Sequence, residues 1–215
     1  MSVADRLAAL RPRLPAGVTL VAVSKAHPAA AVREAHAAGQ RHFGENYAQE
    51  WKAKAEALAD LEGLVWHFVG SLQTNKARML LPASGPRAAW VHTVDREALA
   101  LELSRRAAAR GGALRVLLEV NVAREAQKAG CDPDQAPRLA AAVAALPGLE
   151  LRGLMCIPPA EGDPRPHFRA LRALRDRLGL PDLSMGMSAD WEAAVEEGAT
   201  LVRVGTAIFG ERPAR

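Results

Sequence analysis

Lysine is scarce in this chain. Of 28 basic residues only five are lysine, at 25, 52, 54, 76 and 128, against 23 arginines. Arginine has taken most positions where any cation serves, so a retained lysine points to a need for a primary amine. Such an amine can lose its proton in a desolvated site and attack a carbonyl. Cysteine is sparser still. Cys131 and Cys156 are too few for a disulfide framework and stand at no metal-ligand spacing with histidine, so each is expected to be a buried or incidental thiol and no metal site is expected. One tyrosine and four phenylalanines offer little for stacking on bases, and no dense basic block accompanies the net charge of +4; nucleic-acid binding is not expected. The chain lacks any window apolar enough to span a bilayer, and Met1-Ser2-Val3-Ala4-Asp5-Arg6 has neither the basic nor the apolar region of a secretory signal. A cytoplasmic location away from membranes is the expectation. No Gly/Ser/Pro-rich linker and no internal repeat divides the 215 residues, so 1–215 is read as one domain.

Apolar runs of strand length alternate with amphipathic stretches throughout. The runs are 18–24, 41–44, 65–70, 90–93, 115–121, 151–156, 183–187 and 201–204; the helical stretches are 28–38, 47–61, 74–81, 96–109, 134–145, 166–178 and 191–197. Eight parallel strands with crossover helices in this length predict a closed (β/α)8 barrel, with an open doubly wound sheet as the alternative. Pro28 suits a first helical turn, Asp95 and Asp190 suit helix caps, and Gly39, Gly111, Gly148 and Gly198 suit helix ends. Segments 82–86 and 158–166 read as loops.

Function in such a barrel collects at the carboxyl ends of the strands, and the chemically unusual residues follow the apolar runs. Ser24-Lys25 follows the first, Glu45-Asn46 the second and Gly70-Ser71-Leu72-Gln73 the third. Glu119-Val120-Asn121 closes the fifth, Ser184-Met185-Gly186-Met187-Ser188 forms and follows the seventh, and Gly205-Thr206 follows the eighth. Small residues and hydroxyls after strands seven and eight describe an anion cradle. Arg203, between Val202 and Val204, needs a partner: a bound anion, an acceptor nitrogen, or a barrel carboxylate such as Glu119. Strand eight closes against strand one, so an amine at Lys25 and a phosphate cradle at its neighbours fit the two ends of pyridoxal 5′-phosphate (PLP). His67 reads as a hydrogen-bonded barrel histidine, and Trp51, Trp191 and the methionines as packing.

The chain resembles the pyridoxal phosphate homeostasis proteins, the YggS/PROSC family, which are related to the barrel domain of alanine racemase. The resemblance rests on Val21-Ala22-Val23-Ser24-Lys25, Phe43-Gly44-Glu45-Asn46-Tyr47-Ala48-Gln49-Glu50, and the segment from Trp66 to Lys76. It continues through Gly153-Leu154-Met155-Cys156-Ile157-Pro158-Pro159, Leu183 to Asp190, and Val202 to Gly210, in family order over almost the whole chain. It implies a fold-type III PLP barrel in which Lys25 holds PLP as a Schiff base and Asn46 lines the pocket. Ser184, with Met185 beside it, and Gly205-Thr206 match phosphate positions, and Arg203 meets either the phosphate or the pyridine nitrogen. Lys128 resembles a loop lysine at the rim that takes part in cofactor release or transfer. Two departures stand out: Cys156 replaces a more usual small residue, and Ala26-His27 stand where the family often has Thr-Lys.

The implied function is PLP homeostasis: holding the cofactor and exchanging it or delivering it to apo PLP-dependent enzymes, without an established reaction. The alternative is an amino-acid racemase. Racemisation needs proton-transfer groups on both faces of the substrate adduct, and Lys25 supplies one. The sole tyrosine, Tyr47, follows strand two, and no second, racemase-type domain is expected; by the same token a monomer is.

Overall fold

The computed structural model describes residues 1–85 and 88–211. Pro86, the end of the expected 82–86 loop, and residues 212–215 of the expected single domain lie outside the described residues. Eight parallel strands close in sequence order into a barrel, with β1 pairing both β2 and β8. They are β1 (Thr19–Val23), β2 (His42–Glu45), β3 (Val65–Phe68), β4 (Trp90–Val94), β5 (Leu114–Glu119), β6 (Leu149–Met155), β7 (Asp182–Ser184) and β8 (Leu201–Val204). Every apolar run of the sequence became one of these strands, because residues buried on both faces of a parallel sheet leave little room for polar alternation.

The helices are α1 (Val3–Leu10), α2 (Ala29–Ala37), α3 (Ala48–Ala57), α4 (Ala77–Leu80), α5 (Glu97–Ala109), α6 (Ala136–Ala144), α7 (Arg165–Arg177), α8 (Trp191–Glu196) and α9 (Thr206–Phe209). Their inward residues recur at helical spacing, as Leu99, Ala100, Leu103 and Ala107 do on α5. Together with Val91, Val116, Leu118 and Leu154 on the outer face of the sheet they form the main core. Trp90, Leu117 and Met155, on alternate strand positions, make a separate cluster inside the barrel. Trp51 and Trp191 are buried in the main core.

Two expectations about helices change. The sequence reading placed no element before residue 18, yet α1 is present and is opened by a capping box between Ser2 and Asp5. Asp95 does not cap α5: its carboxylate accepts from Arg96 Nη1 at 2.5 Å. Asp190 stands at the N-cap of α8 but accepts instead from the Met187 N–H at 2.6 Å, which fixes the loop after β7.

Candidate functional site

Lys25 leaves β1 in a tight turn, closed by the His27 N–H donating to the Ser24 carbonyl at 3.0 Å. Ala26, inside that turn, has φ +62°, a conformation an alanine side chain resists. A buried ionic cluster holds it. Lys54 on α3 spends its ammonium on the Ser24 carbonyl (2.6 Å), Glu45 Oε1 (2.7 Å) and Glu50 Oε1 (2.7 Å). Glu45 Oε1 also accepts the Ser24 hydroxyl at 2.6 Å, and Glu50 Oε1 accepts the Ala26 N–H at 2.7 Å. Both neighbours of Lys25 are thereby gripped through their backbones. Burial raises the Glu45 carboxyl above its ordinary value, and Lys54 opposes that shift.

Beside this turn the carboxyl ends of the strands enclose a cavity of about 290 Å³. Lys25, Asn46, Arg203, Gly205 and Thr206 line it, joined by Ser188 and Met187. Asn46 packs tightly enough against β3 that a Cβ on Gly70 would lie 2.1 Å from the Asn46 carbonyl oxygen, so only glycine fits there. The buried Asn46 Oδ1 has no hydrogen-bond partner. Ser188 Oγ accepts from the Gly205 N–H at 3.3 Å, tying the loops after β7 and β8 together.

Two expected cradle residues stand elsewhere. Ser184 and Met185 are fully buried and do not line the cavity. Ser184 is the last residue of β7 with its side chain inside the barrel, where its hydroxyl meets Arg203 and His92; Ser188, four residues on, reaches the wall instead. Gly186 permits this course, since its φ is +91° and a Cβ there would lie 2.6 Å from Ala194 Cβ.

Arg203 is buried. Its Nη1 donates to Ser184 Oγ at 2.7 Å and its Nη2 to the Cys156 carbonyl at 3.0 Å. The carboxylate partner weighed for it is not bonded to it: among the described residues Arg203 has no ion pair, and Glu119 acts on it only across space. Glu119, 7% exposed, is pushed up to about 7 by burial and by the charge of Asp95, with Arg203 opposing. It lines an adjoining cavity of about 240 Å³ that shares Asn46, Val69 and Ile157 with the first. Lys128 lines that second cavity and is anchored to Glu125 (2.5 Å) and to the Pro158 carbonyl (2.9 Å). Burial pushes the Cys131 thiol up to about 11 and the Cys156 thiol up to about 12, which makes both poor nucleophiles. Among the described residues no group of three or more His, Cys, Asp or Glu could hold a metal ion.

A family model of the alanine racemase N-terminal domain matches residues 2–213. The pyridoxal phosphate homeostasis protein of Pseudomonas aeruginosa is 53% identical over 205 residues, covering 93% of this chain and 87% of the relative. The chain belongs to this family. Its counterpart in Escherichia coli strain K12 is 45% identical over 210 residues, covering 93% of this chain and 88% of that one. Among solved structures, PipY of Synechococcus elongatus with PLP bound is 44% identical at a TM-score of 0.86, covering 97% of this chain and all of that one. The alanine racemase of Corynebacterium glutamicum has a TM-score of 0.74 at 19% identity, covering 99% of this chain and 61% of that one; it shares the fold.

Within this pyridoxal phosphate homeostasis family member, sequence reasoning found the cavity lining at Lys25, Asn46, Arg203 and Gly205-Thr206 and missed what supports it. Lys54 was as visible as Lys25, being one of five lysines, but only the fold brings α3 against the turn after β1. Ser188 was in view as the last residue of its loop. His92 gave no signal beyond standing within a strand.

Proposed function

We propose that this protein binds PLP in the cavity at the carboxyl end of the barrel and serves PLP homeostasis, holding the cofactor as a Schiff base on Lys25 and releasing or delivering it. The supporting observation is the convergence of Lys25, Asn46, Arg203, Ser188 and Gly205-Thr206 on one cavity. The residues suit the group. The orphaned acceptor at Asn46 calls for a hydrogen-bond donor on the ligand, such as a hydroxyl, and Arg203, which has no ion pair among the described residues, calls for an anionic or lone-pair-bearing group. PLP supplies an aldehyde for the amine and an electron sink for whatever is bonded to it. Ser188, Gly205 and Thr206 would hold the phosphate, which moves the serine role from Ser184 to Ser188. The relatives named for PLP homeostasis and the PLP-bound PipY support the same reading.

The racemase alternative needs a second proton-transfer group facing Lys25. Tyr47 lines a different cavity, with Gln49, Ser71 and Lys76, so the tyrosine that racemisation would use is not in the Lys25 cavity. Holding and exchange are therefore favoured, and Lys128, which lines the adjoining cavity, would meet the cofactor in transit. The cytoplasm is the compartment that holds the apo-enzymes such delivery would serve, and a monomer leaves the mouth open to them.

Addition of PLP to the purified protein, followed by borohydride reduction and peptide mapping, tests the attachment. The expected result is a visible absorption band that reduction removes and a reduced adduct on Lys25, both absent in Lys25→Ala. No adduct on the wild-type protein, or an equal yield from Lys25→Ala, would overturn the assignment.

A further inference from the structure

Beneath the cavity a file of side chains crosses the inside of the barrel. Arg203 Nη1 donates to Ser184 Oγ (2.7 Å), which is 2.8 Å from His92 Nδ1; His92 Nε2 is 2.9 Å from His67 Nδ1, and His67 Nε2 is 2.9 Å from His42 Nδ1. Ser184, His67 and His92 are fully buried, and His42 is half-buried at the amino end of β2. His67 stacks on Trp90 with ring centroids 5.5 Å apart, which holds its plane.

Bond counting orients the file. A guanidinium has no acceptor, so Ser184 Oγ must accept from it. The serine hydrogen then has His92 Nδ1 as its partner, which leaves that nitrogen bare and the His92 proton on Nε2. His92 Nε2–H donates to His67 Nδ1, and His67 Nε2–H donates to His42 Nδ1. The reverse order would place the His92 proton against Ser184 Oγ and strand the serine hydrogen in a buried site, an unfavourable arrangement. A cationic imidazole within the file would set two donors face to face. Burial independently holds His67 and His92 well below their ordinary pKa, in the neutral form.

All three rings thus turn their bare nitrogens toward Arg203 and their N–H bonds away, so their dipoles add. This aligned negative end does what a carboxylate usually does for a buried arginine, without cancelling its charge. We infer that His42, His67 and His92 are positioning residues that act through Ser184 to hold Arg203 in the cavity wall as an uncancelled cation, selecting a ligand group that accepts hydrogen bonds there. The inference rests on reading the cavity as a ligand site and not on the chemistry of Lys25.

Nuclear magnetic resonance of ligand-free protein labelled with ring-15N histidine reads the tautomers directly. The expected result is a pure Nε2–H form for both His67 and His92. An Nδ1–H form or a mixture at either ring would overturn the inference, whether or not PLP binds. The second arm is Ser184→Ala, a small change that removes the link while leaving Arg203 in place. Its PLP affinity is expected to fall about tenfold to a hundredfold, while borohydride still traps PLP on Lys25. Wild-type affinity in Ser184→Ala would show that the column does not act on the ligand, and would leave the Lys25 assignment standing.

Discussion

Lys25, in the turn just after β1, and Arg203, on the adjacent β8, line one cavity and are supported in opposite ways. Around Lys25 the network is ionic: Lys54, Glu45 and Glu50 carry charge, and their bonds fall on the main chain of Ser24 and Ala26 and on the Ser24 hydroxyl. Beneath Arg203 the network is a neutral file of one serine and three histidines, and its first bond falls on the guanidinium itself. On the Lys25 side the bonds from Lys54 and Glu50 grip the backbone of its two neighbours. A residue that must present a constant charge is well served by a grip on its head group. The same buried interior provides both, with opposite-charge pairing in one case and aligned dipoles in the other.

Breaking the ionic support should give the largest effect. Lys54→Met leaves Glu45 and Glu50 without their cation, and removing one partner of a buried ion pair costs about 3–5 kcal/mol. Chemical denaturation of the ligand-free protein measures this. Part of the loss should return in Lys54→Met combined with Glu45→Gln, because the second change removes the stranded charge. An additive double variant would mean that Glu45 and Lys54 are not energetically coupled, and the contrast with the histidine column would lose its ionic half.

A third buried group sharpens the comparison because it has neither kind of support. Glu119 is buried, faces Arg203 only across space, and is pushed from the ordinary carboxylate value of 4.5 up to about 7 by burial and the charge of Asp95. Its folded pKa is raised, so between these values the folded state holds more protons than the unfolded state and stability falls as pH rises. The shift corresponds to about 3 kcal/mol, present below pH 4.5 and lost by the time pH passes 7. Glu119→Gln should abolish that slope, giving a protein more stable than wild type above pH 7. Urea unfolding of both proteins at several pH values checks it; parallel profiles would show that the Glu119 carboxyl is solvated or paired in the folded state.

How much of this was legible in the sequence follows the range of the interactions. The strands were readable because runs such as 201–204 bury both faces, and the mouth was readable because Lys25, Asn46 and Gly205-Thr206 directly follow such runs. The supports were not. Lys54 meets Ser24 across thirty positions of sequence, and His92 meets Ser184 across ninety-two. Such pairings are set by strand register and helix packing, to which periodicity is blind. Ser184 was placed in the cradle by the family resemblance, on a run read as 183–187; the strand ends at Ser184 with its side chain inside the barrel, and Ser188, four residues on, reaches the wall. The capping box at Ser2 and Asp5 is a local signal that was available, and it opens the one long helix the strand count left out.

The smallest expected effect probes the turn that carries Lys25. Ala26 pays a steric penalty at φ +62°, and glycine adopts that region freely. Ala26→Gly therefore relieves strain of about 1 kcal/mol, offset in part by the greater freedom glycine gives the unfolded chain. The net change in stability should lie between zero and about 1 kcal/mol in favour of the variant. If the ionic grip on Ser24 and Ala26 is what orients Lys25, glycine should also leave borohydride trapping of PLP unchanged, because the backbone N–H at position 26 still meets Glu50. A stable Ala26→Gly protein that traps poorly would place the orientation of Lys25 in the alanine side chain itself, and the ionic cluster would then be a stabiliser of the fold alone.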